Sequence, residues 1–157
     1  MRKNFLKLGA LSLLSVCLLT NTSTVHATSK RITIPALGNG YNKSCGAEKR
    51  SGDYSYCKAK CNYVKPNANI PDTFENIRVR LCYKDNSGTR HLLSSTNPGS
   101  DYDYYVPEDK NYRLCETGGS KKVPIKDDKM NIQYVYFEFC GNSIYHDAKT
   151  EVTYNAK

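Results

Sequence analysis

The stretch IQYVYFEFC, residues 132–140, restricts this chain more than any other feature. On an extended backbone Val135, Phe137 and Phe139 fall on one side, and Tyr134, Tyr136 and Glu138 on the other. FENIRVRLCYK, residues 74–84, repeats the pattern, with Ile77, Val79 and Leu81 opposed to Arg78, Arg80 and Cys82. Period-two alternation of β-branched and aromatic residues predicts half-buried strands. Weaker strand candidates are Arg31 to Pro35, Tyr54 to Val64, Thr89 to Leu93, Tyr102 to Val106, Tyr112 to Leu114 and Lys149 to Tyr154. Between them Asp85-Asn86-Ser87-Gly88 should close a hairpin, and Asn97-Pro98-Gly99 and Gly118-Gly119 should break the chain. No segment carries a sustained helical period with caps. The fold class is therefore all-β: a single antiparallel β-sandwich, immunoglobulin-like, or a small barrel.

Residues 1–27 read as an export signal. Arg2, Lys3 and Lys7 precede the apolar run from Leu8 to Leu19, and Val25-His26-Ala27 places small residues where a signal peptidase cuts. The run is too short to span a bilayer comfortably, which takes about 20 residues. Removing 27 of 157 residues leaves 130, enough for one domain with a real core. Residues 28–44 should form an N-terminal strand and a flexible join around Gly38-Asn39-Gly40, and residues 45–157 the domain body. The mature chain has no second long apolar run, so no transmembrane segment is expected. Losing three of the 23 basic residues and none of the 15 acidic ones leaves a charge of +5. That balance favours anionic surfaces. Asn42-Lys43-Ser44 is also an N-glycosylation sequon.

With Cys17 inside the signal, six cysteines remain: Cys45, Cys57, Cys61, Cys82, Cys115 and Cys140. An even count behind an export signal predicts a disulfide framework stapling the β-domain, with 15 possible pairings. In YCKAKCNY, residues 56–63, a strand would place Cys57, Ala59, Cys61 and Tyr63 on one face, and Tyr56, Lys58, Lys60 and Asn62 on the other. Cys57 and Cys61 would then stand about 13 Å apart. A disulfide needs Cα atoms within about 7 Å, so each should bond a different partner. The C-x₃-C spacing matches neither a thioredoxin-like redox motif nor the paired ligands of a structural zinc site.

Catalytic signatures are missing. There is no G-x-S-x-G, H-E-x-x-H or phosphate-binding glycine loop. Ser143, His146 and Asp147 are close in sequence, but closeness is not triad geometry. Asp101, Asp103, Glu108 and Asp109 form an acidic loop without EF-hand spacing. No cofactor, metal or catalytic residue is expected. Tyrosine is abundant, with 13 copies and no tryptophan, and its flat ring with a polar tip suits binding surfaces. The expected binding residues are Tyr56, Lys58 and Lys60 on one strand face, and Tyr102, Tyr104 and Tyr105 around one loop.

The Met-Arg-Lys-Asn start, the Val-His-Ala cleavage site and a Tyr- and Lys-rich β-body ending in TEVTYNAK resemble small exported bacterial proteins of the bacteriocin or bacteriocin-associated kind, including lactococcin-like β-sandwich peptides. The resemblance implies action at a cell envelope and carries over no site residues. The expected function is a secreted, extracellular, non-catalytic binding module. Its partner would be a cell-surface or envelope component (protein, glycan or anionic lipid) rather than nucleic acid. The alternatives are a secreted antibacterial toxin acting at the envelope, and a small secreted hydrolase based on His146.

Overall fold

The computed structural model describes residues 27–51, 53–67, 76–96 and 110–156. Among these residues nine strands form two antiparallel sheets packed face to face, a β-sandwich. The first sheet is ordered β1 (Thr28–Ile34), β9 (Ala148–Asn155), β3 (Tyr56–Pro66) and β7 (Ser120–Pro124). The second runs β2 (Ala47–Lys49), β8 (Tyr134–Gly141), β4 (Asn76–Lys84) and β5 (Arg90–Leu92), with β6 (Arg113–Glu116) also paired to β4. The only helical element among the described residues is a 3-10 turn at Asp127–Lys129. The first and last strands lie side by side, with Thr28 opposite Tyr154 and Ile34 opposite Ala148.

The alternation read from sequence sets the core. Ile77, Val79, Leu81, Val135, Phe137 and Phe139 are fully buried and face Ile34, Ala59, Val123 and Val152 of the first sheet. The Phe137 ring sits 4.8 Å from that of Tyr154 across the sandwich. The β4–β5 turn falls at Asp85 to Gly88. The Asp85 carboxylate accepts hydrogen bonds from the backbone N–H groups of Ser87 and Thr89, while Gly88 takes φ = +84°. The Gly118-Gly119 break joins β6 to β7, and the Gly118 N–H donates to the Cys61 carbonyl. The expected strand at Tyr102 to Val106 and the Asn97-Pro98-Gly99 break lie outside the described residues.

Two expectations are corrected. The alternation placed Tyr63 on the inner face with Cys57 and Cys61. Instead the register of β3 against β9 shifts between Cys61 and Tyr63, and Tyr63 joins the outer face opposite Glu151. A bulge inserts one residue, which reverses the facing of everything beyond it.

The disulfide framework is the second correction. Cys45, Cys57, Cys61, Cys82, Cys115 and Cys140 are all buried free thiols, and no two lie at bonding distance. Geometry explains this. Cys82 and Cys140 sit on neighbouring strands, but Cys82 is opposite Tyr136 and Cys140 opposite Arg78. That offset of four residues separates them by about 13 Å. Cys57 and Cys61 share one strand and both point into the core. The thiols find oxygen partners instead. Cys115 Sγ lies 3.5 Å from the Gly119 carbonyl oxygen, and Cys140 Sγ 3.2 Å from that of Gly141. Cys61 Sγ lies 3.8 Å from Thr150 Oγ1. Burial pushes the Cys57 and Cys82 thiols up to about 12 and Cys115 up to about 11, which leaves them protonated and inert.

Candidate functional site

The outer face of the four-stranded sheet collects positive charge from all four strands. On β3 the side chains of Tyr56, Lys58 and Lys60 point outward because Cys57, Ala59 and Cys61 point in. The bulge then returns Lys65 to the same face, opposite Lys149 of β9. β7 adds Lys122 opposite Lys58, and Ser120 opposite Lys60. β1 adds Arg31 opposite Glu151. The face thus carries six basic residues and one carboxylate, Glu151. That carboxylate is already engaged, since Arg31 Nε donates to it at 2.7 Å. Among the described residues no carboxylate lies within ion-pairing distance of Lys58, Lys60, Lys65, Lys122 or Lys149.

Two of these pairings are like-charged: Lys58 with Lys122, and Lys65 with Lys149. Like charges directly opposite each other destabilise a sheet. The lysines are therefore not there to hold the strands together. Aromatic rings border the array. Lys122 Nζ stands 4.5 Å from the Tyr56 ring centroid, and the Tyr54 and Tyr56 centroids are 6.1 Å apart. A shallow depression of about 160 Å³ opens between Lys58, Lys60, Ser120, Thr153 and Asn155. Within this group the Asn155 Oδ1 atom is buried and has no hydrogen-bond partner.

The opposite sheet makes the contrast. Its outer face also bears arginines, but each is engaged. Glu138, 1% exposed, accepts from Arg80 at 2.9 Å and from Arg90 at 2.6 Å. The Arg80 guanidinium lies 3.9 Å from the Tyr41 ring centroid, Arg90 4.7 Å from that of Tyr136, and Arg78 4.1 Å from that of Tyr112. Cations that are paired and stacked hold structure. Cations left side by side in water are open to a ligand. A larger cavity of about 320 Å³ lies beside Arg50 and Met130 to Gln133. There the Arg50 guanidinium donates to the carbonyls of Met130, Ile132 and Tyr54, clamping two loops together.

Of the expected binding residues, Tyr56, Lys58 and Lys60 converge on the basic face, while Tyr102, Tyr104 and Tyr105 lie outside the described residues, as do Asp101, Asp103, Glu108 and Asp109. Lys65, Lys122 and Lys149 were missed. β7 carries a single buried side chain in SKKVP, so alternation gives no signal there, and the bulge hid Lys65. Ser143, His146 and Asp147 do not assemble. The Ser143 hydroxyl oxygen accepts from the Tyr145 N–H and Asp147 from the Ala36 N–H, and His146 has no hydrogen bond to either. Among the described residues no three His, Cys, Asp or Glu side chains could together hold a metal ion. No helix among them is long and apolar enough to cross a membrane. No protein-family model matches the chain, and neither the curated proteins nor the solved structures searched include a match.

Proposed function

We propose that this chain is a secreted, non-catalytic binding module that holds an anionic cell-surface or envelope component on the outer face of its four-stranded sheet. The observation that supports the reading is the unneutralised array around Lys58, Lys60 and Lys122, with Lys65 and Lys149 further along β3. A rigid sheet spaces these charges, so a ligand bearing several negative groups meets them without ordering a loop first. Tyr56 and the exposed Tyr54 and Tyr63 supply flat, amphipathic contact at the margin.

The test is retention on live bacteria. The protein as secreted is added to a panel of cells at rising salt, and both cell-bound protein and survivors are counted. Binding that weakens with salt and is lost in a Lys58→Glu/Lys60→Glu/Lys122→Glu variant supports the reading. Undiminished retention of that variant refutes the site. Death of the cells would favour the toxin alternative. A Tyr102→Ser/Tyr104→Ser/Tyr105→Ser variant tests whether the tyrosine loop shares the contact.

A further inference from the structure

We infer that the partner is a phosphodiester-linked polymer of a three-carbon polyol, laid along β3 and read one unit for every two residues. The inference rests on the binding-face reading above and names its ligand.

The first argument is spacing. Lys58 and Lys60 stand two residues apart on one strand face, which is about 7 Å. Two residues advance the chain by six backbone bonds. A polyol phosphate linked through the outer carbons of a three-carbon unit also repeats every six bonds: P–O, O–C, C–C, C–C, C–O and O–P. Extended chains of similar bonds advance about 1.2 Å per bond. The phosphates therefore recur at about 7 Å, in step with alternate side chains of the strand. A hexose joined in line with each unit lengthens the repeat and loses that step. A 3′,5′-linked nucleic acid keeps six bonds between phosphates, but its ring and base exceed a depression of about 160 Å³.

The second argument is chemistry. The depression between the two lysines offers ammonium groups from Lys58 and Lys60 and a hydroxyl from Ser120, all able to donate to phosphate oxygens. It also holds Asn155 Oδ1, a buried acceptor with no partner. A bare anion satisfies the lysines and leaves that acceptor unpaired. A ligand with a free hydroxyl between its phosphates satisfies both once the Asn155 amide, which lines the depression, turns toward it. The volume of about 160 Å³ equals roughly five waters, room for one phosphate and a short acyclic polyol. Further along the strand, Lys65 and Lys149 provide a second pair of cations for a later phosphate.

The experiment compares four probes on the wild-type protein: a fluorescent oligomer of 1,3-linked glycerol phosphate, an inorganic polyphosphate of equal charge, a single-stranded oligonucleotide of equal charge, and vesicles of phosphatidylglycerol. The glycerol phosphate oligomer should bind most tightly, and its log affinity should fall linearly with log salt. Lys58→Gln and Lys60→Gln should each weaken binding and reduce that slope by about 0.7. Asn155→Ala, checked for folding by circular dichroism, should weaken the glycerol phosphate oligomer about tenfold and leave polyphosphate unchanged. Equal or tighter binding of polyphosphate or of the oligonucleotide overturns the inference, and so does binding to vesicles alone. If every soluble polymer fails while the lysine variants still lose cell retention, the inference falls and the binding face stands. If the lysine variants keep cell retention, both fall.

Discussion

Removing a lysine from the basic face should stabilise the protein. Lys58 stands directly opposite Lys122, and no carboxylate among the described residues compensates either. Ammonium groups on facing strands can swing to about 7 Å apart, given Cβ separations of about 5 Å. In water their repulsion at that distance is about 0.6 kcal/mol. Screening lowers it to about 0.5 kcal/mol at 10 mM salt, where the Debye length is about 30 Å, and to about 0.2 kcal/mol at physiological salt. Lys58→Gln should therefore gain about 0.5 kcal/mol at 10 mM salt, and Lys58→Glu about twice that, because repulsion becomes attraction. Lys122 keeps its place over the Tyr56 ring in both variants, so the stacking contribution is unchanged. The assay is urea unfolding of wild type, Lys58→Gln, Lys58→Glu and the charge-preserving Lys58→Arg at 10 mM and 1 M salt. The gain should order as Glu, then Gln, then Arg near zero, and should nearly vanish at 1 M, where the Debye length is about 3 Å. A loss of stability in Lys58→Glu at low salt, or a gain that ignores salt, would refute the claim that this face is electrostatically frustrated.

Three further outcomes follow from the same structure. Glu138→Gln should cost about 2–4 kcal/mol in denaturant, because it leaves Arg80 and Arg90 crowded around a neutral amide; their partial exposure keeps the loss below the fully buried limit. A loss under 1 kcal/mol would mean the tyrosine stacking alone holds those arginines. The six buried thiols should resist alkylation in the native state and all react on unfolding. The folded pKa values of Cys57, Cys82 and Cys115 are raised, so their contribution to stability is complete below about pH 8.5, where the unfolded thiols stay protonated. It declines as pH rises toward 11–12, and melting curves across that range should show the fall. Asp85 behaves oppositely. Hydrogen bonds from the Ser87 hydroxyl, and next from His91, hold its carboxyl below the usual range. Its contribution to the β4–β5 hairpin is present above about pH 4 and is lost on acidification. Protection factors of the Ser87 and Thr89 amides, taken relative to intrinsic exchange at each pH, should fall on acidification in wild type and be low throughout in Asp85→Ala.

The central strands were legible because their environment is asymmetric. Ile77, Val79 and Leu81 meet a core while Arg78 and Arg80 point the other way and stack on Tyr112 and Tyr41, and the sequence alternates to match. Edge strands escape such reading. In SKKVP only Val123 is buried, so Lys122 carried no sign that it belonged to a strand, still less that it faced Lys58. Glu138 alternates correctly with its neighbours but is buried, because Arg80 and Arg90 close over it from other strands, with Tyr41 stacked on Arg80. The bulge near Asn62 left no turn residue to mark it, yet it decides whether Tyr63 and Lys65 face water or core. Half of the basic face was therefore visible as Tyr56, Lys58 and Lys60, and the rest depended on pairings that no local pattern records.

The cysteines show why a count is not a geometry. An even number behind an export signal reports that sulfurs are available, but bonding also needs two Cα atoms within about 7 Å and facing side chains. Here each cysteine occupies a position that a small apolar residue would also fill. Cys57 and Cys61 alternate with lysines as Ala59 does, and Cys115 packs under the β6–β7 turn. In that role a thiol is a compact hydrophobe with a weak donor, able to satisfy a stray carbonyl as Cys140 does for Gly141. Stability then comes from the shared core of Phe137, Phe139 and Tyr154 and their aliphatic neighbours. A sandwich of this length buries enough apolar surface to stand without covalent staples. That leaves its outer faces free of the stabilising task. One is closed by Glu138 and stacked tyrosines, and the other keeps its lysines uncompensated, at a small electrostatic cost that the proposed anionic partner would remove on binding.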